Sequence, residues 1–335
     1  MRVSQAYGAT DTGRRRRHNE DAYVCDPPLF AIADGMGGAQ AGEVASGLAA
    51  SALTEGGGGG GERRVGELIQ EANRRVHERA STDAATSGMG TTMTVALVEP
   101  DGSVRFGHVG DSRAYLLRDA RLEQLTDDHT LVAELVRRGE LSPSDAEVHP
   151  QRSVITRALG TDPDVDVDTF AVAGRAGDVF LLCSDGLSSM VAGETIERIL
   201  EQHRSDLQTA GKALIHAANR GGGEDNITAV LFELADGVPA VLPPPAEPDE
   251  KTREQAVAPD DEDTLHPEDG VRLPPTADTM IVPAQALHPE PVSGEPAGPT
   301  QAVPQAGVGR RLLALLVIVV LIAVIVVLVW WGLAR

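Results

Sequence analysis

Carboxylates are the side chains whose placement in this sequence points to chemistry. Phe30-Ala31-Ile32-Ala33 is a short apolar run with the composition of a strand buried on both faces, and Asp34 sits at its C-terminal end. Gly35, Gly37 and Gly38 follow, where the backbone can turn sharply and approach a ligand closely. A lone Asp-Gly is most often a plain turn, but this one is echoed. Asn19-Glu20-Asp21 lies just upstream and Val109-Gly110-Asp111-Ser112-Arg113 further on. Leu181-Leu182-Cys183-Ser184-Asp185-Gly186 repeats the apolar run ending in Asp-Gly, and Glu224-Asp225-Asn226 precedes another apolar run. Repeated carboxylates at strand ends are a metal-site pattern. Oxygen donors without a His or Cys cluster favour Mg²⁺ or Mn²⁺ over zinc, and the nine histidines show no His-Glu-x-x-His spacing. Two such cations roughly 3.5–4 Å apart hold a shared water, lower its pKa and neutralise an in-line displacement at phosphorus.

Other acidic residues read differently. Asp11, Asp101 and Asp119 sit in turn-like context and are expected to be solvated, while Asp162, Asp164, Asp166 and Asp168 alternate like the exposed face of a strand. The glycine run from Gly56 to Gly61 lacks the Gly-Lys-Ser/Thr ending of a phosphate-cradling loop and reads as a surface loop.

The elements that must position these groups follow from periodicity. Strands are expected at 3–9, 21–25, 29–34, 91–98, 104–109, 114–117, 165–172, 179–184 and 226–234. Glu99-Pro100-Asp101-Gly102 marks a hairpin between the strands at 91–98 and 104–109. Helical spacing appears at 43–53, 65–79, 129–138, 192–203 and 207–219, while 141–160 is polar and irregular and reads as a flap. Clustered strands with helices in two groups predict an α+β fold in which helices cover sheets.

At 335 residues the chain has room for one large or two ordinary domains. Its net charge of −21 argues against nucleic-acid binding, and the basic cluster Arg14 to Arg17 is too short to reverse that. Cys25 and Cys183 lie in or beside apolar runs and read as small buried hydrophobes of a reducing compartment. The first residues are mixed and polar, so no signal peptide is expected. Residues 1–237 form the globular pattern. Residues 238–309 hold 15 of the 21 prolines and 13 acidic residues against 3 basic ones, which predicts a disordered linker. Residues 312–331 are 20 consecutive uncharged apolar residues within the segment 310–335. At roughly 30 Å of helix they match a bilayer core and predict one transmembrane helix. Arg310 and Arg311 precede it and only Arg335 follows, so the N-terminal domain is expected on the cytoplasmic side of the cell membrane.

The motifs together resemble the metal-dependent protein Ser/Thr phosphatases of the PP2C (PPM) family. The matching residues are Arg16-Arg17-His18-Asn19-Glu20-Asp21, Ala33-Asp34-Gly35-Met36-Gly37-Gly38, Gly90-Thr91-Thr92, Gly110-Asp111-Ser112-Arg113, Ser184-Asp185-Gly186 and Glu224-Asp225-Asn226-Ile227-Thr228. They run in the family's order across nearly all of residues 1–236. With the C-terminal span, the layout looks like bacterial phosphatases that oppose membrane-bound Ser/Thr kinases, so phosphorylated kinases and their substrates are the implied partners.

The resemblance implies an αββα sandwich of two antiparallel sheets flanked by helices, with two Mn²⁺ or Mg²⁺ ions at the strand ends and room for a third. Asp34 matches the carboxylate bridging both metals, and Gly35 a carbonyl ligand. Asp185 and Asp225 match further ligands, and Glu20 and Asp21 an acidic pair acting largely through metal-bound water. Asp111, with Asp185, matches a third, weaker site. Arg16 has the spacing of the family's phosphate-binding arginine, with Arg17 the other register, and a guanidinium fork suits phosphate oxygens. The implied reaction is hydrolysis of phosphoserine and phosphothreonine by a metal-bridged water without a phosphoenzyme. Met36 departs from the His that animal members carry after this Asp-Gly as a proposed general acid, and thioether sulfur cannot donate a proton. His18 reads as a surface histidine. Two other functions remain open on the sequence: an inactive phosphoprotein-binding scaffold, and a phosphatase specific for one regulator of a sigma factor.

Overall fold

The structure is a computed structural model that describes residues 1–37, 41–56 and 62–236, without the side chains of Glu62 and Arg63. The expectations for 57–61, for the linker at 238–309 and for the membrane helix at 310–335 lie outside the described residues. Among the described residues no helix is long and apolar enough to cross a membrane.

Eleven strands form two antiparallel sheets among the described residues. One sheet runs β1 (Arg2–Asp11), β11 (Ile227–Ala235), β10 (Val179–Cys183), β7 (Arg113–Arg118), β8 (Arg121–Gln124). The other runs β2 (Asp21–Asp26), β3 (Leu29–Met36), β5 (Met93–Val98), β6 (Ser103–Val109), β9 (Asp168–Ala173), with the two-residue β4 (Gly90–Thr91) also on β3. Alternation along each strand explains the layers. On β3, Phe30 and Ile32 point between the sheets, and Ala31 and Ala33 point outward. All five phenylalanines of the chain fill the inter-sheet layer: Phe30 stacks on Phe232 with centroids 4.1 Å apart, Phe232 on Phe180 at 4.9 Å, and Phe106 on Phe170 at 5.0 Å. Fully burying each ring contributes roughly 1.5–3 kcal/mol.

Helices close both outer faces, as the αββα expectation requires. Helices α1 (Ala41–Glu55) and α2 (Glu62–Thr82) cover the β2–β9 sheet. Helices α5 (Asp185–Ser188), α6 (Gly193–Gln202) and α7 (Leu207–Gly221) cover the other, while α3 (Leu131–Arg137) and α4 (Pro143–Glu147) lie in the connection before β9. The face that α1 buries includes Ala41, Ala45, Ala49 and Ala52, small enough for close approach to β3. That approach brings Gly42 against Gly35, where a Cβ on Gly35 would stand 2.1 Å from the Gly42 carbonyl oxygen.

Most expected elements form within a few residues, and the departures have local causes. The strand expected at 91–98 breaks at Thr92, which leaves the ladder to bond Asp34. The amide of Thr92 donates to the Asp34 carbonyl at 2.9 Å, and its Oγ1 accepts from the Asp34 amide at 3.0 Å. The strand expected at 165–172 begins only at Asp168, so the alternation of Asp162, Asp164 and Asp166 was not a strand face. The helix expected from 129 starts at Leu131, because Thr130 caps it by accepting from the Ala133 amide. The flap at 141–160 contains the short helix α4. Asp11 is no solvated turn residue: it ends β1, and its Oδ1 accepts from the Gly13 amide at 2.8 Å and from Asn219 Nδ2 at 3.0 Å. The edge strand β8 was not expected at all.

Candidate metal centre and phosphate-binding arginine

Strand ends place the acidic residues. Asp21 opens β2 and faces Asp34 directly across the β2–β3 ladder. Asp111 follows β6 in a loop where Gly110 holds φ at +111°, and a Cβ there would stand 2.5 Å from Thr92 Cβ. Asp185 follows β10 at the start of α5, and Asp225 precedes β11. Glu20 is set by two bonds: its amide donates to Asn226 Oδ1 at 2.8 Å, and its carbonyl accepts from the Gly35 amide at 3.0 Å. A Cβ on Gly42 would stand 2.9 Å from Glu20 Oε2, so glycine there leaves space for the carboxylate.

Hydroxyls and one amide hold this set in place. Thr91 Oγ1 donates to the Asp34 carbonyl at 2.9 Å, and Thr92 Oγ1 meets Ser112 Oγ at 2.9 Å. Asp21 Oδ2 accepts from Ser184 Oγ at 2.9 Å and from Thr228 Oγ1. Asn226 Nδ2 donates to the carbonyls of Thr12 and His18 at 3.1 and 3.0 Å, tying the loop before β2 to the loop before β11. Sequence reading quoted these residues within motifs but gave none of them a role. The Gly110 amide also donates to His129 Nδ1 at 3.0 Å, and the His129 amide donates to the Gly110 carbonyl at 2.8 Å, bracing the Asp111 loop. No local pattern around His129 announced this.

The carboxylates crowd one another with little to offset them. Burial, and then the charges of Asp21, Asp185, Asp225 and Asp111, hold Asp34 well above the usual carboxylate range. Burial raises Asp21 to about 7 and Asp185 to about 6, with neighbouring carboxylates adding to both shifts. Burial and Asp185 likewise push Asp111 up, and burial pushes Glu20 up against the opposing pull of Arg16. Oδ1 of Asp21 and Oδ1 of Asp185 are buried without a hydrogen-bond partner. Among the described residues no three acidic, His or Cys side chains close into a ready cage, since Asp21 leans on its hydroxyls and Asp225 on Arg16. The set nonetheless fits hard divalent cations: it offers carboxylate oxygens, two of them orphaned, where a positive charge is missing.

Arg16 is the cation aimed at this cluster. Its Nη2 lies 2.8 Å from Asp225 Oδ2, with both side chains about one-third exposed, at 38% and 31%. Asp225, Glu20 and Asp34 all stabilise its charge. Of the two registers left open by the arginine run, Arg16 is the one that enters the site. Met36 is buried against Ile155 and Ala158 at the end of the flap, and His18 is exposed.

Residues 13–231 match the family model described as protein phosphatase 2C. The chain belongs to the protein phosphatase 2C family. A serine/threonine phosphatase (Stp) of Listeria monocytogenes is 42% identical over 237 residues, covering 67% of this chain and 93% of the relative. The crystal structure of the Mycobacterium tuberculosis serine/threonine phosphatase PstP superposes with a TM-score of 0.66 at 39% identity, covering 70% of this chain and all of that one. A structure of the PstP catalytic domain in complex with two manganese ions matches with a TM-score of 0.65 at 37% identity, again over 70% of this chain and all of that one. This protein phosphatase 2C is therefore a serine/threonine protein phosphatase. The shared fold agrees with the two sheets and covering helices described above.

Proposed function

We propose that this phosphatase hydrolyses phosphoserine and phosphothreonine with two Mn²⁺ or Mg²⁺ ions held by Asp34, Asp185, Asp225, the Gly35 carbonyl and, through water, Glu20 and Asp21. Asp111 with Asp185 forms a weaker third site. The observation that carries this reading is the convergence of partly buried carboxylates at neighbouring strand ends, with two orphaned oxygens and, among the described residues, one ion pair, from the partly exposed Arg16 to Asp225. Manganese in the PstP relative supports it. When bound, the cations supply a nucleophilic water at neutral pH and neutralise charge on the phosphoryl group.

The chain's own residues do the rest. Arg16, which holds Asp225 here, would bind the phosphate oxygens by its guanidinium fork. Thr91, Thr92 and the glycine contact of α1 hold Asp34 so that its carboxylate keeps one position as charge develops. Ser184 and Thr228 orient Asp21. Met36, packed on Ile155 and Ala158, lines the wall without donating a proton. The test is phosphate release from a phosphothreonine peptide with Mn²⁺, with excess chelator, and by Asp34→Asn. Metal-dependent release lost in the variant supports the assignment. No release from folded, metal-loaded protein overturns it.

The membrane part of the proposal rests on the sequence of residues 312–331. That run anchors the catalytic domain on the cytoplasmic face, where the tether raises its effective concentration near membrane Ser/Thr kinases and their substrates. Fractionation of cells carrying the full chain or a chain ended at residue 309 decides the anchor. Equal distribution of the two would remove it. Phosphorylation of membrane kinases in the same cells decides the role.

A further inference from the structure

The loop between β1 and β2 carries four consecutive arginines, and the reaction proposed above uses one. Its backbone is fixed. Gly13 holds φ at +78°, and a Cβ there would stand 2.2 Å from the Asp225 carbonyl oxygen. The amides of Arg14 and Arg15 donate to the Gly223 carbonyl at 2.7 and 3.2 Å. Asn226 clamps the loop again at the Thr12 and His18 carbonyls. Arg14, Arg15, Arg16 and Arg17 are all exposed. Only Arg16 forms an ion pair among the described residues; Arg14, Arg15 and Arg17 have no carboxylate partner there. Three exposed arginines are thus carried on a fixed loop backbone beside the phosphate-binding Arg16, on a chain of net charge −21.

The bland reading of an arginine run is a solvated, solubilising face. Two observations count against it. A strongly acidic chain does not need clustered positive charge for solubility, and the cluster is pinned to the Asp225 loop at the mouth of the reaction site instead of lying on a free tail. Consecutive Cα atoms are about 3.8 Å apart and an arginine side chain adds several ångströms of reach, so the three groups cover a zone on the order of 10 Å around Arg16. An extended peptide covers that distance in about three residues.

We infer that Arg14, Arg15 and Arg17 form an accessory anion subsite that selects phosphoprotein segments carrying a second phosphate or carboxylates within about three residues of the phosphate being removed. This inference rests on the phosphatase reading and on Arg16 as its phosphate ligand. The guanidiniums act on binding and encounter and leave the chemical step alone. Exposed charge pairs of this kind each contribute modestly, so three together are expected to give about tenfold.

The test uses the full chain in detergent micelles and the triple variant Arg14→Ala/Arg15→Ala/Arg17→Ala. Substrates are one phosphothreonine peptide with lysine neighbours, the same peptide with glutamate neighbours, its doubly phosphorylated form, and p-nitrophenyl phosphate, which has no neighbours. The expected result is that the parent chain prefers the glutamate and doubly phosphorylated peptides, and that this preference weakens with added salt. The triple variant raises KM for those two about tenfold, keeps kcat, and turns over p-nitrophenyl phosphate as the parent does. Fluorescence anisotropy of the labelled peptides reads the same preference as Kd, so the subsite is tested even if turnover is absent and the phosphatase reading falls. An equal change for every substrate, or no change for any, overturns the subsite. Loss of binding to phosphatidylserine vesicles with peptide KM unchanged overturns it too, and assigns the arginines to a lipid surface.

Discussion

Asp178, buried, and Asp34, partly buried, are carboxylates of the same sandwich, and the molecule treats them in opposite ways. The side chain of Asp178 is 2% exposed, but it is fully answered: Arg118 donates from Nε at 2.8 Å and from Nη2, and the Arg175 amide donates at 2.7 Å. Asp128 is met in the same manner by the Arg113 fork at 2.9 and 2.7 Å. The charges that act most on Asp34 are those of further carboxylates. The protein supplies a guanidinium fork to each of these structural acids, but to the cluster it sends only Arg16, which reaches Asp225 from a partly exposed position. Buried charge left unpaired is costly, and the cations proposed above would relieve that cost.

The comparison breaks most clearly if the two acids are exchanged in role. Asp34→Asn should lower phosphate release about a thousandfold or more. It should leave the metal-free melting temperature unchanged or raise it, because it removes a repelling charge. Asp178→Ala should do the reverse. Leaving Arg118 without its partner should cost about 3 kcal/mol of stability, while the folded fraction keeps its turnover within roughly twofold. Urea unfolding and initial rates on both variants decide the matter. An Asp178 variant that folds well but is inactive would end the distinction.

Much of this site was legible because its chemistry is written locally. An apolar run ending in Asp-Gly marks Asp34 and Asp185, and the buried strands β3 and β10 deliver both to one end of the sandwich. The helices were legible for the same reason, since their apolar periodicity is a property of neighbours in sequence. What was not legible is the support. The contact of Asp21 with Thr228 spans 207 positions, and that of Asp34 with Thr92 spans 58. No window of sequence holds both partners. The same contact broke the strand expected at 91–98. Asp168 was misread for a related reason: its carboxylate meets Arg157 at 2.6 Å and His129 at 3.1 Å, and His129 in turn braces Gly110. Periodicity shows which face a residue occupies. It does not show which distant side chain will meet it there.

Metal removal sharpens the contrast with a smaller effect. Binding to the native state alone stabilises by mass action, about 2.7 kcal/mol at a hundredfold excess over Kd. The full chain in millimolar Mn²⁺ should therefore melt several degrees above the same chain in chelator. The Asp178→Ala variant should show the same increment from its lower baseline, and Asp34→Asn should show little or none. An increment retained by Asp34→Asn would move the cations elsewhere.

The smallest effect, and the one with the most informative sign, is the pH dependence of the metal-free chain. Asp21 and Asp185 titrate at about 7 and about 6 in the native state, against roughly 4 when unfolded. Over the interval between, the native state holds more protons. Their contribution to stability is complete below about pH 4 and is lost as pH rises through 6 and 7. Buried histidines act in the other direction. Burial lowers His108 to about 4 and His129 to about 3, so stability from them is lost as pH falls below the unfolded value of about 6.5. Below about pH 7.5 the unfolded histidines still carry protons and oppose the carboxylates; between pH 7.5 and 8.5 both histidines are largely neutral in either state, and the carboxylates act almost alone. The metal-free melting temperature should fall across that window by about a degree, a few tenths of a kcal/mol. Saturating Mn²⁺ should flatten the fall, because cations then hold the charge that protons held. A melting temperature that rises across the window without metal would mean that some other group already neutralises the cluster, and Asp34 would then be a structural acid like Asp178.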